Sequence, residues 1–252
     1  MSNRVSFVTG GAQGIGRGIC EALAAAGFRV AVADLNLQAA HETAAEIVGS
    51  GGDAIAVQVD VTSSDSVASA VGEVTAGLGP IEVVVNNAGW DDFMPFLATT
   101  EAFWDRILDI NFKGGLRVTQ AVVPGMIERG FGRVINIGSD AGRVGSSLEA
   151  VYSGAKGGTI AFTKTLAREV ATKGVTVNTV CPGPTDTPAL RKFADASGEE
   201  ADKVIGGMAR AVPMKRLGLP SDIGAAVVYF ASDAASYVTG QTLSVSGGLT
   251  MA

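Results

Sequence analysis

The chain has 252 residues, 47% of them hydrophobic and 17% charged, with a formal net charge of −6. That apolar share supplies a sizeable core and excludes a disordered chain, while the acidic balance argues against nucleic acid as the main partner. Cys20 and Cys181 have neither metal-ligand spacing nor a disulfide pattern, and no apolar run approaches the ~18 residues of a membrane span. A cytoplasmic protein without membrane contact is expected. The single histidine, His41, lies in a helical stretch and reads as a surface residue. A Ser-His-Asp triad and a metal site are therefore not expected.

The first element, "VSFVT" at 5–9, begins almost at once, with no signal-peptide core before it. Further β-branched runs follow at 29–34, 54–61, 81–87, 132–139, 175–182 and 242–248. They are apolar on both faces, as strands of a covered parallel sheet must be. Helical segments alternate with them at 14–27, 36–49, 63–77, 99–129, 150–173 and 220–233. Pro124 and the Gly114-Gly115 pair predict a bend or early end within 99–129. The alternation predicts an α/β, Rossmann-like doubly wound parallel sheet of about seven strands in a single domain over residues 1–252. The region 185–219 is the least apolar long stretch and reads as an irregular lid over the sheet's C-terminal edge.

The first strand runs into "TGGAQGIG", residues 9–16, where Gly10, Gly14 and Gly16 surround Gln13 and Ile15. Glycines let the backbone turn sharply and approach a pyrophosphate, which meets free N–H groups at the helix start. Asp34 ends the second strand about 20 residues on, placed to accept hydrogen bonds from adenosine ribose hydroxyls and to repel a 2′-phosphate. Gln13 and Leu35 are not basic, which favours NAD over NADP. The same carboxylate is also placed to cap the helix that follows, a role compatible with ribose binding.

Tyr152 stands four residues before Lys156, so on a helix both face one ligand. An ammonium within several ångströms would lower the tyrosine pKa by about 1–3 units and make it a usable base. Such a pair alone is a common surface feature.

Taken together, the T-G-x-x-x-G-x-G turn, "NNAG" at 86–89, Asn111, Ser139, Tyr152-x-x-x-Lys156 and "PGPTDT" at 182–187 resemble the short-chain dehydrogenase/reductase family over essentially the whole chain. The resemblance implies a catalytic tetrad of Asn111, Ser139, Tyr152 and Lys156. Ser139 would hold the substrate oxygen, and Asn111 would hold a water linking Lys156 to solvent. Cofactor contacts are implied at Gly10, Gln13, Gly14, Ile15, Gly16, Asp34 and Leu35. They continue at Asp60 and Val61 on adenine and at Asn87, Ala88 and Gly89 along the groove. Tyr152 and Lys156 would take the nicotinamide ribose; Pro182, Gly183, Thr185 and Thr187 would take the carboxamide and pyrophosphate. The family often has an aliphatic residue where Thr185 stands. Its members are mostly homotetramers, and "GQTLSVSGGLTMA" resembles a segment they use between subunits.

For the substrate, a small secondary alcohol or ketone, Trp90, Phe93 and Phe96 follow the groove and suit a ring, or simply pack beneath a helix. The stretches around Ser139, Pro182 and Ser244 are most like family members that oxidise the ring hydroxyl of 2-hydroxycyclohexanecarboxyl-CoA in alicyclic and aromatic acid breakdown. A CoA substrate would call on cations, with Arg143, Arg191, Lys192, Lys203 and Arg210 as candidates. The alternatives are a general secondary-alcohol dehydrogenase, a 3-oxoacyl-carrier reductase and a non-catalytic NAD-sensing protein.

Overall fold

A computed structural model describes residues 3–196 and 200–251. The strands are β1 (Val5–Thr9), β2 (Arg29–Asp34), β3 (Asp53–Gln58), β4 (Ile81–Asn86), β5 (Gly132–Ile137), β6 (Val175–Pro182) and β7 (Thr242–Val245). They form one sheet in the order β3-β2-β1-β4-β5-β6-β7, and each neighbouring pair is parallel. The chain order reverses between β1 and β4, so a crevice opens beyond their C-terminal ends.

Alternation along the strands explains the two apolar layers. Phe7, Val84, Val134 and Val177 point to one face, with α3 (Ser64–Gly77), α5 (Gly114–Arg129) and α7 (Ala150–Val170) over them. Val8, Val85, Ile135 and Val180 point to the other. There they meet α1 (Gly14–Ala25), α2 (Leu37–Gly49) and α10 (Pro220–Ala231) through Ile19, Leu23, Ile47 and Phe230. Burying each such side chain contributes about 1.5–3 kcal/mol relative to leaving it in water.

The helical stretch 99–129 departs from expectation. It comprises α4 (Glu101–Leu108), a π-helical turn (Asp109–Lys113) and α5, and Pro124 lies inside α5 without ending it. The irregularity falls at the π turn instead. Gly114 is there for closeness, since a Cβ on it would lie 2.8 Å from Val61 Cγ2. The predicted lid also differs, because its described residues contain α8 (Pro188–Ala196) and α9 (Ala201–Ala211), with α6 (Ala141–Val144) earlier in the chain. Residues 197–199 of that prediction lie outside the described residues. The base of the excursion is pinned by a parallel bridge between Thr185 and Gly218.

Four polar side chains cross the core beneath the crevice. Asn86 Nδ2 donates to Asn136 Oδ1 (2.8 Å), Asn136 Nδ2 to Thr163 Oγ1 (2.8 Å), and Thr179 Oγ1 to Thr163 Oγ1 (2.8 Å). Thr163→Val would strand two buried donors and lower unfolding stability by roughly 1–3 kcal/mol in urea titration. No loss would show that these bonds are replaced by others.

Candidate active site

At the switch point, Thr9 Oγ1 accepts the main-chain N–H groups of Asn87 and Ala88, each at 3.1 Å. Asn87 Nδ2 in turn donates to Thr9 O (2.9 Å) and Gly10 O (3.0 Å). The glycine turn is thus closed onto the end of β4. Gly10 has φ +63° and Gly14 φ +54°, and a Cβ on Gly16 would stand 1.9 Å from Gly10 O. Only glycine fits Gly16.

No side chain caps the N-terminus of α1. Its first N–H groups lack intrahelical acceptors and face outward with the positive end of the helix dipole, which suits a pyrophosphate. Gly14 faces Thr187, whose Cγ2 lies 3.5 Å from the position of a Cβ, so the two ends of the expected cofactor groove do meet. Thr187 Oγ1 also caps α8 through Leu190 N (3.2 Å), while Thr185 Oγ1 turns inward to Gly183 O (2.9 Å).

Asp34 does not cap α2; Asn36 does, accepting from Ala39 N at 3.1 Å. The Asp34 carboxylate accepts Ala12 N (3.1 Å) and Asn36 N (3.0 Å), joining the glycine turn to the end of β2. Leu35 beside it is exposed, and Arg17 on α1 is paired with Glu21 and Glu46. Asp60 Oδ1 accepts Thr62 N and Oγ1, a local turn after β3, and Val61 is buried against Gly114.

The four tetrad residues come together. Tyr152 lies in the first turn of α7 and Lys156 one turn on, with Nζ 5.5 Å from the phenol ring centroid. Lys156 is 4% exposed and donates to Ile137 O at 2.9 Å. Ser139 Oγ accepts Ala141 N at 3.1 Å, and its hydroxyl reaches the Tyr152 phenol. Asn111, buried in the π turn, accepts Trp90 N (3.2 Å) and donates to Trp90 O (2.6 Å) and Ile107 O (3.0 Å). Its side chain therefore binds main chain. Asn111 and Lys156 nonetheless line the same small cavity, with Thr9, Asn86 and Ala88.

The electrostatics differ from the sequence expectation. Burial, then the carboxylates of Glu149 and Asp91, push the Tyr152 phenol up, and the Ser139 hydrogen bond opposes them. Burial lowers the Lys156 ammonium to about 8. Desolvation of the phenol outweighs the expected help from a lysine that is itself reluctant to hold charge. Sequence reasoning missed Asp91 and Glu149, which line a second cavity with Tyr152, Met94, Phe96 and Phe103. Burial, then hydrogen bonding to Glu149, raises Asp91 to about 7.

The remaining substrate candidates scatter. Trp90 packs edge-on to Phe103 beneath the Arg106 guanidinium, and Phe93 stacks on Phe193 of α8 with ring centroids 4.1 Å apart. Arg143 turns away to Ser244 Oγ (2.7 Å) and Thr242 O (3.5 Å), and Arg191 forms a two-pronged pair with Asp186. Neither guanidinium is presented to a CoA phosphate in this arrangement. Lys192 is exposed on α8, and Lys203 and Arg210 lie on α9.

Comparison with known proteins agrees with this geometry. The family described as enoyl-(acyl carrier protein) reductase matches residues 10–250. Nodulation protein G of Azospirillum brasilense is 42% identical over 250 residues, 99% of either chain. An acetoacetyl-CoA reductase of Cupriavidus necator is 38% identical over 252 residues, 100% of both chains. A 3-oxoacyl-[acyl-carrier-protein] reductase of Staphylococcus epidermidis is 37% identical over 250 residues, 99% of this chain and 100% of its own. A crystal structure of an actinorhodin polyketide ketoreductase variant with NADPH superposes with a TM-score of 0.94 at 34% identity. It covers 98% of this chain and 97% of that one.

The Lys156 ammonium should titrate near pH 8 by NMR of its Nζ, well below the ~10.4 of an exposed lysine. A midpoint near 10.4 would mean that burial does not control this group.

Proposed function

Because the chain belongs to the short-chain dehydrogenase/reductase family, as an oxidoreductase of the CH–OH/ketone type, we propose that it reduces the C3 carbonyl of a 3-oxoacyl thioester. The observation that carries this reading is the convergence of Tyr152 with Ser139 and Lys156 beside a cavity lined by apolar side chains together with Asp91 and Glu149. A protonated phenol is the form that gives a proton to a carbonyl oxygen. When bound, a reduced nicotinamide supplies the hydride. Ser139 holds the substrate oxygen, and Tyr152 Oη donates its proton as the carbonyl becomes an alcohol. Lys156 orients the cofactor ribose and returns a proton to the phenol through the cavity that Asn111 shares. In the reverse direction the same oxygen must first lose its proton.

The lining of the second cavity supports the substrate class. Its apolar side chains suit an acyl group, and the carboxyls of Asp91 and Glu149 disfavour a free carboxylate but tolerate a neutral thioester. The relatives named for acetoacetyl-CoA and 3-oxoacyl-carrier substrates support this reading over the oxidation of 2-hydroxycyclohexanecarboxyl-CoA. That ring compound is itself a 3-hydroxy thioester. Phe96 and Phe103 beside Tyr152 keep it as the second reading.

The cofactor is proposed to be NAD(H), on the strength of the Asp34 carboxylate and the exposed Leu35 beside it, although the ketoreductase neighbour carries NADPH. The groove would be formed by Gly10, Gln13, Gly14, Ile15, Gly16, Asp34 and Leu35 at one end. Asp60, Val61, Asn87, Ala88 and Gly89 would continue it, with Pro182, Gly183, Thr185 and Thr187 closing the other side. A homotetramer is part of the same reading, supported by exposed Leu243, Leu249 and Met251 near the C-terminus. So is a cytoplasmic setting, supported by the buried, unpaired Cys20 and Cys181.

Tyr152→Phe should lower kcat for acetoacetyl-CoA reduction by about 10²–10⁴. In the unmodified protein, reduction should hold steady through neutral pH, whereas oxidation of the 3-hydroxy thioester should rise with pH as the phenol ionises. A Tyr152→Phe variant with undiminished kcat would remove the tyrosine from the chemistry.

A further inference from the structure

Ser139 is followed by a cluster that the reaction itself does not use. Asp140, 6% exposed, accepts the Ser244 hydroxyl on Oδ1, while its Oδ2 is enclosed without a hydrogen-bond partner. The Ser244 Oγ in turn accepts Arg143 Nη1 at 2.7 Å, and the same guanidinium nitrogen reaches Thr242 O. One serine hydroxyl on the edge strand β7 thus stands between a buried carboxylate and a guanidinium. The main chain closes around it: Asp140 N donates to Pro182 O (3.3 Å), Gly142 N to Ser139 O (3.0 Å) and Arg143 N to Asp140 O (2.9 Å).

We infer that Asp140, Ser244 and Arg143 are positioning residues that fix Ser139 in its catalytic orientation, so that the C-terminal strand β7 sets the geometry of the reacting centre. The inference rests on the reductase reading above. Three lines support it. The turn at 139–143 is short and sits beyond the end of β5, where its main chain is tied to β6 through Gly138 N to Val180 O (2.8 Å) and the longer Asp140 N to Pro182 O (3.3 Å). The Ser139 hydroxyl oxygen is oriented by Ala141 N inside that same turn, so any swing of Asp140 carries the catalytic oxygen with it. Finally, burying a carboxylate beside an edge strand costs stability unless it is paired, and an orphaned Oδ2 shows that the pairing is incomplete. A core designed only for stability would place an apolar residue there. Hydroxyl, carboxylate and guanidinium together add a side-chain anchor from β7 to the main-chain bonds that tie the turn to β6.

The consequence is kinetic. A displacement of about 1 Å at a catalytic group can cost up to about 100-fold in turnover. Ser244→Ala should therefore lower kcat for acetoacetyl-CoA reduction by about 10- to 100-fold, with little change in KM for the cofactor. Ser244→Thr, which keeps the hydroxyl, should recover most of the loss.

A double-mutant cycle with Ser139→Ala separates positioning from general stability. If Ser244 acts through Ser139, the Ser244→Ala change should cost less than about twofold once Ser139 is alanine. A full additional 10-fold loss in that background would overturn the inference, as would an undiminished kcat in Ser244→Ala alone. Asp140→Asn, similar in shape, is the second variant should Ser244→Ala fold poorly, and it should show the same non-additivity. The two readings fail separately. If Ser139→Ala itself leaves kcat intact, the reductase mechanism fails; if only the non-additivity is missing, the positioning role fails.

Discussion

The junction between Thr9 and Asn87 holds the site together. One threonine hydroxyl takes two main-chain N–H groups from the end of β4, and one asparagine amide takes two carbonyls from the start of the glycine turn. That reciprocal pairing fixes the turn at the switch point of the sheet, where the backbone must pass Gly16 with no room for a side chain. The strip that follows then runs directly to the chemistry. A Cβ on Gly89 would stand 2.9 Å from Asn111 Oδ1 and 3.7 Å from Lys156 Nζ, and Trp90 is bonded to Asn111 through both its main-chain groups. The glycine turn, the strip 87–90 and the Asn111–Lys156 cluster are therefore packed into one contiguous surface rather than separate motifs.

Burial decides the direction in which this surface is poised. In the protein alone, Tyr152 is partly buried next to Glu149 and Asp91, and both desolvation and those carboxylates favour the neutral phenol. Lys156 is buried too and holds its proton weakly, so its charge does not reverse the balance. The positive N-terminal end of α7 falls within one turn of Tyr152, yet a helix dipole is worth about 0.3–1 kcal/mol and desolvation is worth more. The resting phenol is thus neutral, the form from which a proton donor starts. That agrees with a reductase and with the reductase names of its relatives.

Much of this was legible in the sequence, and the failures are instructive. The strands could be read because their apolar residues face helices on both sides, and β1, β2 and β6 begin and end where the pattern does. The predictions for β3, β4, β5 and β7 ran too far at their C-terminal ends, past Gln58, Asn86, Ile137 and Val245. Those trailing residues look like strand, but the regular ladder gives way there to side-chain bonds: Asp60 Oδ1 accepts Thr62 N, Thr9 Oγ1 accepts Asn87 N, and Ser139 Oγ accepts Ala141 N. Asn111, Ser139, Tyr152 and Lys156 were singled out through the family resemblance, and the structure brings these four side chains together. Asp91 and Glu149 were not, because they meet only when the loop after β4 and the entry to α7 pack together. The same holds for Arg143. As a sequence it is a cation near a catalytic serine, and only the structure shows it turned toward β7.

The central claim is that a buried acid, Tyr152, protonates the carbonyl of a neutral thioester. The most direct test is to measure kcat/KM for NADH-dependent reduction of acetoacetyl-CoA, free acetoacetate and cyclohexanone by the purified protein, under identical conditions. The account predicts that the thioester exceeds the free acid by at least about 100-fold, since the Asp91 and Glu149 carboxyls face the cavity. Comparable values for the thioester and the free acid, or a preference for the unactivated ketone, would contradict it.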